Sequence, residues 1–233
     1  MTKASNDGWE IYDAALPFAG AVYGSQRTRM AVVGLGGGSL LVVSPGAHLA
    51  EVAFERLATW GTPRFLLAPN HFHNTGLAAW HERFPDASVV AHPRALPRLR
   101  KKVPGVPFEA LDGLEAALPA GVRLFGPPMA KQGETWLSVK TADGTGWFVT
   151  DGILNEERLR GTSGLVLRLL GFRTGLMTNP FFKRFFLADK AGYKAWVAGE
   201  LERDRPTLFV PSHGAPLRGP DVSERLRAAT EAA

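Results

Sequence analysis

The alternation of apolar and polar positions predicts a run of short strands at the start of the chain. We predict strands at residues 9–14, 20–24, 29–34 and 39–44, because apolar side chains there alternate between Gly-rich turns. The glycines of 34–39 are followed by strand residues. A phosphate-binding glycine loop needs a helix after it, so we interpret these glycines as a hairpin turn.

Helical periodicity begins near residue 48, and from there strands and helices alternate. The predicted helices are 48–60, 75–84, 93–101 and 221–232; the predicted strands are 64–68, 88–91, 122–125, 134–140, 145–150 and 207–211. A helical stretch is also predicted from 153 to about 196, interrupted near Gly171, Gly175 and Asn179. No low-complexity linker divides the chain, so we predict one α/β domain over residues 1–233.

The composition is that of a globular chain and excludes several classes of site. Of the 233 residues, 45% are hydrophobic and 21% charged, as in ordinary folded proteins. Cysteine is absent, which excludes disulfides, iron–sulfur clusters and thiol nucleophiles. The longest apolar runs, at 40–43 and 65–68, are far too short to span a membrane. The first residues lack a secretory signal pattern, so we expect a cytoplasmic protein.

Positive charge is concentrated in one predicted helix. The net charge is +5, from 27 Lys and Arg against 22 Asp and Glu. Five of these cations lie within nine positions: Arg94, Arg98, Arg100, Lys101 and Lys102. No nucleic-acid-binding motif accompanies them, so we predict a solvated helix face and no nucleic-acid partner.

Aromatic pairs flank two cations at 181–186, which gives this segment an amphiphilic pattern. The aromatic residues are Phe181, Phe182, Phe185 and Phe186. Core packing is the favoured interpretation, and a lid over a pocket or a peripheral membrane contact are the alternatives.

Three predicted strand ends carry side chains that can bind a metal. His71 and His73 follow an apolar strand, and in an extended segment residues two apart point to one side, where both imidazoles could reach one ion. Two later strands run into Asp151-Gly152 and His213-Gly214. Taken singly, Asp151 could be a helix N-cap and His213 a hydrogen-bonded turn residue. Three such strand ends together favour a metal-binding site over these separate structural roles.

This order of motifs resembles the metallo-β-lactamase superfamily over almost the whole chain. Residues 212–216 (SHGAP) match its last motif, and 147–152 match its strand that ends in the bridging aspartate. Where the family has T-H-x-H-x-D-H, residues 70–76 are NHFHNTG, without the Asp and the last His. The resemblance implies a four-layer αββα sandwich and a metal-dependent hydrolase, in a divergent branch without a characterised function.

The family's middle histidine also has no counterpart here. No histidine lies between His92 and His213, and Lys131, Gln132 and Glu134 occupy the corresponding segment. The resemblance therefore implies a reduced ligand set of His71, His73, Asp151 and His213, with Glu134 as a further candidate. Four donors suit one four-coordinate ion rather than two, so we predict a mononuclear site, with zinc as the first choice and iron as the second.

The predicted reaction is hydrolysis of a small molecule: an ester, thioester, lactone, amide or phosphoester. Asp151 and His213 are the predicted catalytic residues. Residues expected to support the ligands or to contact substrate are Asn70, Asn74, Thr75 and Lys131.

Two other functions fit the same residues. The incomplete motif and the positive charge of Lys131 fit a metal-free protein that binds or scaffolds a partner. Two histidines with one carboxylate also fit a non-haem iron oxygenase. The sequence predicts no particular oligomeric state.

Overall fold

The structure is a computed structural model that describes residues 7–24, 27–159 and 161–232. It divides into two compact units, Met1–Arg123 and Leu124–Ala233, and each is described by itself. The single domain that the sequence suggested over 1–233 stays a prediction.

The first unit contains a seven-stranded sheet in which chain order equals spatial order. Its strands are β1 (Trp9–Asp13), β2 (Phe18–Tyr23), β3 (Thr28–Gly36), β4 (Ser39–Val43), β5 (Thr62–Ala68), β6 (Ser88–Ala91) and β7 (Phe108–Glu109). The first four strands are antiparallel neighbours, and from β4 to β7 the pairing is parallel. Parallel neighbours need crossover connections. Helices α1 (Glu51–Trp60), α2 (Leu77–Arg83) and α3 (Leu96–Lys102) supply them, and α4 (Asp112–Ala117) follows β7.

The middle of this sheet is buried on both faces. Leu40, Leu41, Val42 and Val43 of β4 are all buried, as are the last four residues of β5. Such continuous apolar runs are typical of parallel strands covered on both sides. Because β4 and β5 run in the same direction, the residues after them leave the sheet at the same edge.

The second unit contains a five-stranded sheet in the order β14-β13-β10-β9-β8 and a separate hairpin. Its strands are β8 (Val122–Phe125), β9 (Trp136–Thr141), β10 (Gly144–Val149), β11 (Ile153–Glu156), β12 (Gly175–Thr178), β13 (Leu208–Pro211) and β14 (Leu217–Arg218). The helices are α5 (Gly161–Leu169), a π-helical turn (Phe182–Phe186), α6 (Lys190–Asp204) and α7 (Val222–Glu231). Buried residues of α6 and α7, such as Val197 and Leu226, pack with Trp147 and Phe209 of the sheet.

The prediction of helix from residue 153 to about 196 is wrong at residues 153–156 and 175–178, which form strands. Residues 153–156 form β11, which pairs antiparallel with β12. Ile153, Leu154 and Asn155 are all buried, and a short buried strand has the same apolar pattern as a buried helical turn. Three elements shorter than seven residues also escaped prediction: β7, α4 and β14.

The aromatic segment at 181–186 divides between core and surface. Phe182 is buried against Tyr193, whereas Phe181 and Phe185 are exposed. Core packing is therefore confirmed for Phe182, and the lid and the membrane contact stay predictions for the exposed rings. Among the helices of the described residues, none has the length and apolar character needed to cross a membrane.

Candidate metal centre

Asp151 and His213 meet at one edge of the second sheet. The strands β10 and β13 are parallel neighbours, with Val149 opposite Pro211. Each of the two residues lies two positions beyond the end of its strand, so the register places them side by side. His213 Nε2 is 3.2 Å from Asp151 Oδ1, and their side chains are 24% and 16% exposed. Both potential ligand atoms are thus close together and within reach of solvent.

Glu134 holds the turn that carries Asp151. Its Oε1 accepts hydrogen bonds from the backbone N–H groups of Asp151 (2.8 Å) and Gly152 (3.0 Å) and from the Thr150 hydroxyl (2.7 Å). The same oxygen accepts a bond from the Trp136 indole at 2.9 Å. Glu134 is buried, so this carboxylate ties the end of β10 to the start of β9.

The other oxygen of Glu134 and a neighbouring phenol complete this buried polar region. Gln132 donates to Oε2 at 3.3 Å. Tyr193 is fully buried, and its burial together with the charge of Glu134 raises the pKa of its phenol far above the usual value. Tyr193 is therefore neutral at any physiological pH and cannot act as a phenolate base.

Asn155 of β11 holds the loop that carries His213. Its backbone N–H donates to the carbonyl of His213 (3.1 Å), and its carbonyl accepts from the N–H of Ala215 (3.0 Å). The Asn155 side chain adds a third bond, to the Ala215 carbonyl at 2.7 Å. Gly214 lies between them at φ +101°, and a Cβ there would be 1.9 Å from the Asn155 oxygen. Only glycine therefore fits this close approach.

In the first unit, the segment after β5 is a bend rather than an extended strand. Asn70 is buried, and its Oδ1 accepts from the N–H groups of Phe72 (2.8 Å) and His73 (3.4 Å). Asn74 donates to the carbonyl of His71 at 2.7 Å. The segment is thus not extended as the sequence suggested, because Asn70 folds the backbone into a turn, and a shared side for both imidazoles stays a prediction.

The two histidines have different polar partners. His73 Nδ1 lies 2.8 Å from the Ser44 hydroxyl, and Ser44 in turn lies 3.1 Å from the Tyr23 hydroxyl. His71 Nε2 is 3.0 Å from Arg98 Nη1. Arginine only donates, so His71 Nε2 accepts this bond. His73 thus has a neutral hydroxyl at Nδ1, whereas His71 has a cation at Nε2.

Of the remaining predicted residues, Thr75 and Lys131 are both exposed. The backbone N–H of Lys131 donates to Phe186 O at 2.8 Å, which fixes its main chain and leaves its side chain at the surface. Sequence reasoning missed Ser44, Asn155 and Arg98. Arg98 and Lys102 are four positions apart on a predicted helix, and this spacing was a usable signal that they share a face.

Comparison with known proteins shows a likeness of structure. No protein-family model matches the sequence, and no curated protein matches it. A metallo-β-lactamase from Erythrobacter litoralis matches with a TM-score of 0.63 at 14% identity, over 97% of this chain and 96% of that one. VMB-1 matches with a TM-score of 0.60 at 8% identity, over 98% and 99%. The metallo-β-lactamase FIM-1 from Pseudomonas aeruginosa, in its mono-zinc form, matches with a TM-score of 0.58 at 13% identity, over 94% and 96%.

These identities are low, so the matches speak for the architecture and not for the reaction. They confirm the α/β class and the type of fold that the motifs at 70–76, 147–152 and 212–216 suggested. The chain therefore has the fold of the metallo-β-lactamases.

Proposed function

We propose that this protein is a metal-dependent hydrolase of the metallo-β-lactamase superfamily with a single metal ion. The observation that carries the proposal is the pair of Asp151 and His213, 3.2 Å apart at the ends of two parallel strands. A carboxylate and an imidazole brought together by strand register, with each loop separately fixed, are what a metal site requires. We propose His73, which the resemblance of residues 70–76 to the superfamily's first motif implies as a ligand, as the third ligand.

The chemistry of these donors fits a catalytic ion. Two histidines and one carboxylate form the protein ligands of several zinc hydrolases, which keep a fourth position open. The same set also suits iron. If the Nδ1–H of His73 donates to Ser44, its Nε2 carries the lone pair that a metal needs. His71 and Glu134 are omitted from the proposed set, because Arg98 occupies His71 Nε2 and buried donors saturate Glu134 Oε1.

When bound, the ion would supply Lewis acidity, which makes a water more acidic and polarises the oxygen of the scissile group. The chain's residues have separate tasks. Asp151 would hold its carboxylate in place through the bonds that Glu134 makes to its turn. His213 would keep its imidazole beside Asp151 because Asn155 binds the backbone on both sides of Gly214. The Asp151 oxygen that does not hold the ion could take up a proton from the attacking water.

The proposed reaction defines the kind of bond that the substrate contains, and we propose no particular compound. We propose a small molecule with an ester, thioester, lactone, amide or phosphoester bond. Because two of the structural neighbours are metallo-β-lactamases, a chromogenic cephalosporin belongs in the test panel beside nitrophenyl acetate and bis(nitrophenyl) phosphate.

The experiment that tests this proposal is metal analysis by mass spectrometry on the untagged protein. We expect about one equivalent of zinc in the wild type. Asp151→Asn, His213→Gln and His73→Gln should each lose most of it. His71→Gln should keep it, because the proposed set omits His71. His81→Gln is the matched control, since it removes a histidine from α2.

Each result has a definite meaning. Retained zinc in Asp151→Asn and His213→Gln would contradict the proposed ligands. Less than about a tenth of an equivalent, without uptake of added zinc, would overturn the enzyme in favour of a metal-free binding protein. Bound iron together with oxygen consumption by the protein would favour the non-haem iron oxygenase. Two equivalents of metal per protein would contradict the mononuclear site.

A further inference from the structure

We propose that Arg98 and Lys102 of α3 form a binding site for an oxyanion, a carboxylate or phosphate group carried by the substrate. Only the identification of the bound anion as a substrate rests on the proposed hydrolase function. The site itself stands on the contacts of two cations with the segment at 70–74.

Both cationic groups are held against this segment by uncharged acceptors. Arg98 Nη1 donates to His71 Nε2 at 3.0 Å, and Lys102 Nζ donates to the His71 carbonyl at 3.3 Å. Lys102 also lies 5.2 Å from the centroid of the Phe72 ring. Because the two residues are four positions apart on α3, their heads lie one helical turn apart on one face.

No carboxylate among the described residues forms a salt bridge with either cation. Other surface arginines do have such partners: Arg83 pairs with Glu51, and Arg218 pairs with Asp143. Two like charges held close together without a counterion repel each other, so an anion that binds both gains their attraction and relieves this repulsion.

The position of these charges in the helix does not by itself explain their contacts. Lysine and arginine in the last turn of a helix are favoured by the helix dipole, and α3 ends in Arg100, Lys101 and Lys102. Arg98, Lys101 and Lys102 are all exposed, and Lys101 satisfies that preference without a hydrogen bond to His71. The dipole does not require Arg98 or Lys102 to lie against His71.

Arg98 retains donors for a ligand. A guanidinium has five N–H groups in a planar fork, and one nitrogen is used by His71. Phe72 is 43% exposed beside Lys102, so it offers an apolar face next to the charges. A small organic anion with an aromatic or apolar body fits both features, and phenyl phosphate is a suitable probe.

The test is calorimetric titration of phenyl phosphate into the protein, both as purified and after treatment with a chelator. We expect binding to the chelator-treated wild type, and affinity at least about tenfold weaker in Arg98→Gln and Lys102→Gln. Arg98→Lys should bind with intermediate affinity, because it keeps the charge and loses the fork. Phenol, which lacks the anion, should bind far more weakly.

Lys101→Gln is the matched control, because it removes the same charge from the same helix turn. Wild-type affinity in Lys101→Gln together with loss in Arg98→Gln would support the site, whereas equal losses in both would show a nonspecific charge effect and overturn it. Unchanged binding in Arg98→Gln, or none in the wild type, would also overturn it. Circular dichroism checks that each variant is folded. Since the chelated protein holds no ion, these outcomes do not depend on the hydrolase proposal.

Discussion

Replacement of Glu134 should destabilise the protein far more when it removes the hydrogen-bond acceptor than when it removes only the charge. Oε1 accepts four bonds of 2.7–3.0 Å, two of them from backbone N–H groups. A buried donor left without an acceptor costs about 1–3 kcal/mol. Glu134→Ala leaves five donors without this acceptor, the four at Oε1 and the Gln132 amide at Oε2, and water entering the vacated space satisfies part of them. We therefore expect a loss of about 4 kcal/mol in the free energy of unfolding.

Glu134→Gln keeps the shape and one oxygen. The amide oxygen can face the same four donors, while its NH2 group faces Gln132, whose own amide must turn to accept. Bonds to a neutral acceptor are roughly half as strong as those to a carboxylate, but the cost of burying a charge also disappears. We expect a loss of about 1–2 kcal/mol.

Urea unfolding followed by tryptophan fluorescence measures both losses, because Trp136 and Trp147 lie near this network in the second unit. For a chain of this size, 4 kcal/mol corresponds to a fall of about 8–16 °C in the melting temperature. Glu202→Ala is the control: Glu202 is 73% exposed and pairs with Arg227 at 3.5 Å, so its loss should stay within about 0.5 kcal/mol. Equal losses for the Ala and Gln variants of Glu134 would refute the reasoning, as would a loss below about 1 kcal/mol for Ala.

Three further predictions address other parts of the structure. Ser44→Ala removes the partner of His73 Nδ1 and should weaken zinc binding about 10- to 100-fold in a chelator competition; unchanged affinity would exclude this support. Gly214→Ala should lower the melting temperature because its Cβ would collide with a β11 carbonyl, whereas Gly199→Ala in α6, with open space around it, should not lower it. Burial is the larger cause, and the guanidinium of Arg94 the smaller cause, of a lowered pKa at His92. The imidazole therefore takes up a proton at higher pH in the unfolded chain than in the folded one. The wild type should therefore lose stability as the pH falls through about 6.5, and His92→Gln should lose less; equal slopes in denaturation at pH 5 to 8 would contradict this.

The strand ends that carry Asp151 and His213 could be predicted from sequence because each strand is a continuous apolar run with a sharp end. Residues 145–150 and 207–211 were predicted as strands, and the structure has Gly144–Val149 and Leu208–Pro211. Their parallel pairing was not visible in the sequence. It depends on contacts between residues about sixty positions apart, and local pattern carries no information about them.

The predictions that failed also depended on contacts between residues that are distant in the sequence. Residues 153–156 are apolar enough for either helix or strand, and pairing with Gly175–Thr178 decides the outcome. The supporting contacts of Glu134 and Asn155 were missed as well, since hydrogen bonds to the backbone of another loop leave no periodic signal.

The segment around His71 and His73 shows why a short motif does not define its chemistry. In an extended backbone, side chains two positions apart lie on the same side. Here the Asn70 side chain accepts hydrogen bonds from the N–H groups of Phe72 and His73, which bends the backbone. His73 then meets the neutral Ser44 hydroxyl, and His71 meets the Arg98 guanidinium. For His71 to become a metal ligand through Nε2, Arg98 would have to leave that nitrogen, and two cations would then compete for one lone pair. The same H-x-H pattern therefore combines His73, which we propose as a metal ligand, with His71, which accepts a hydrogen bond from the arginine of the proposed anion site.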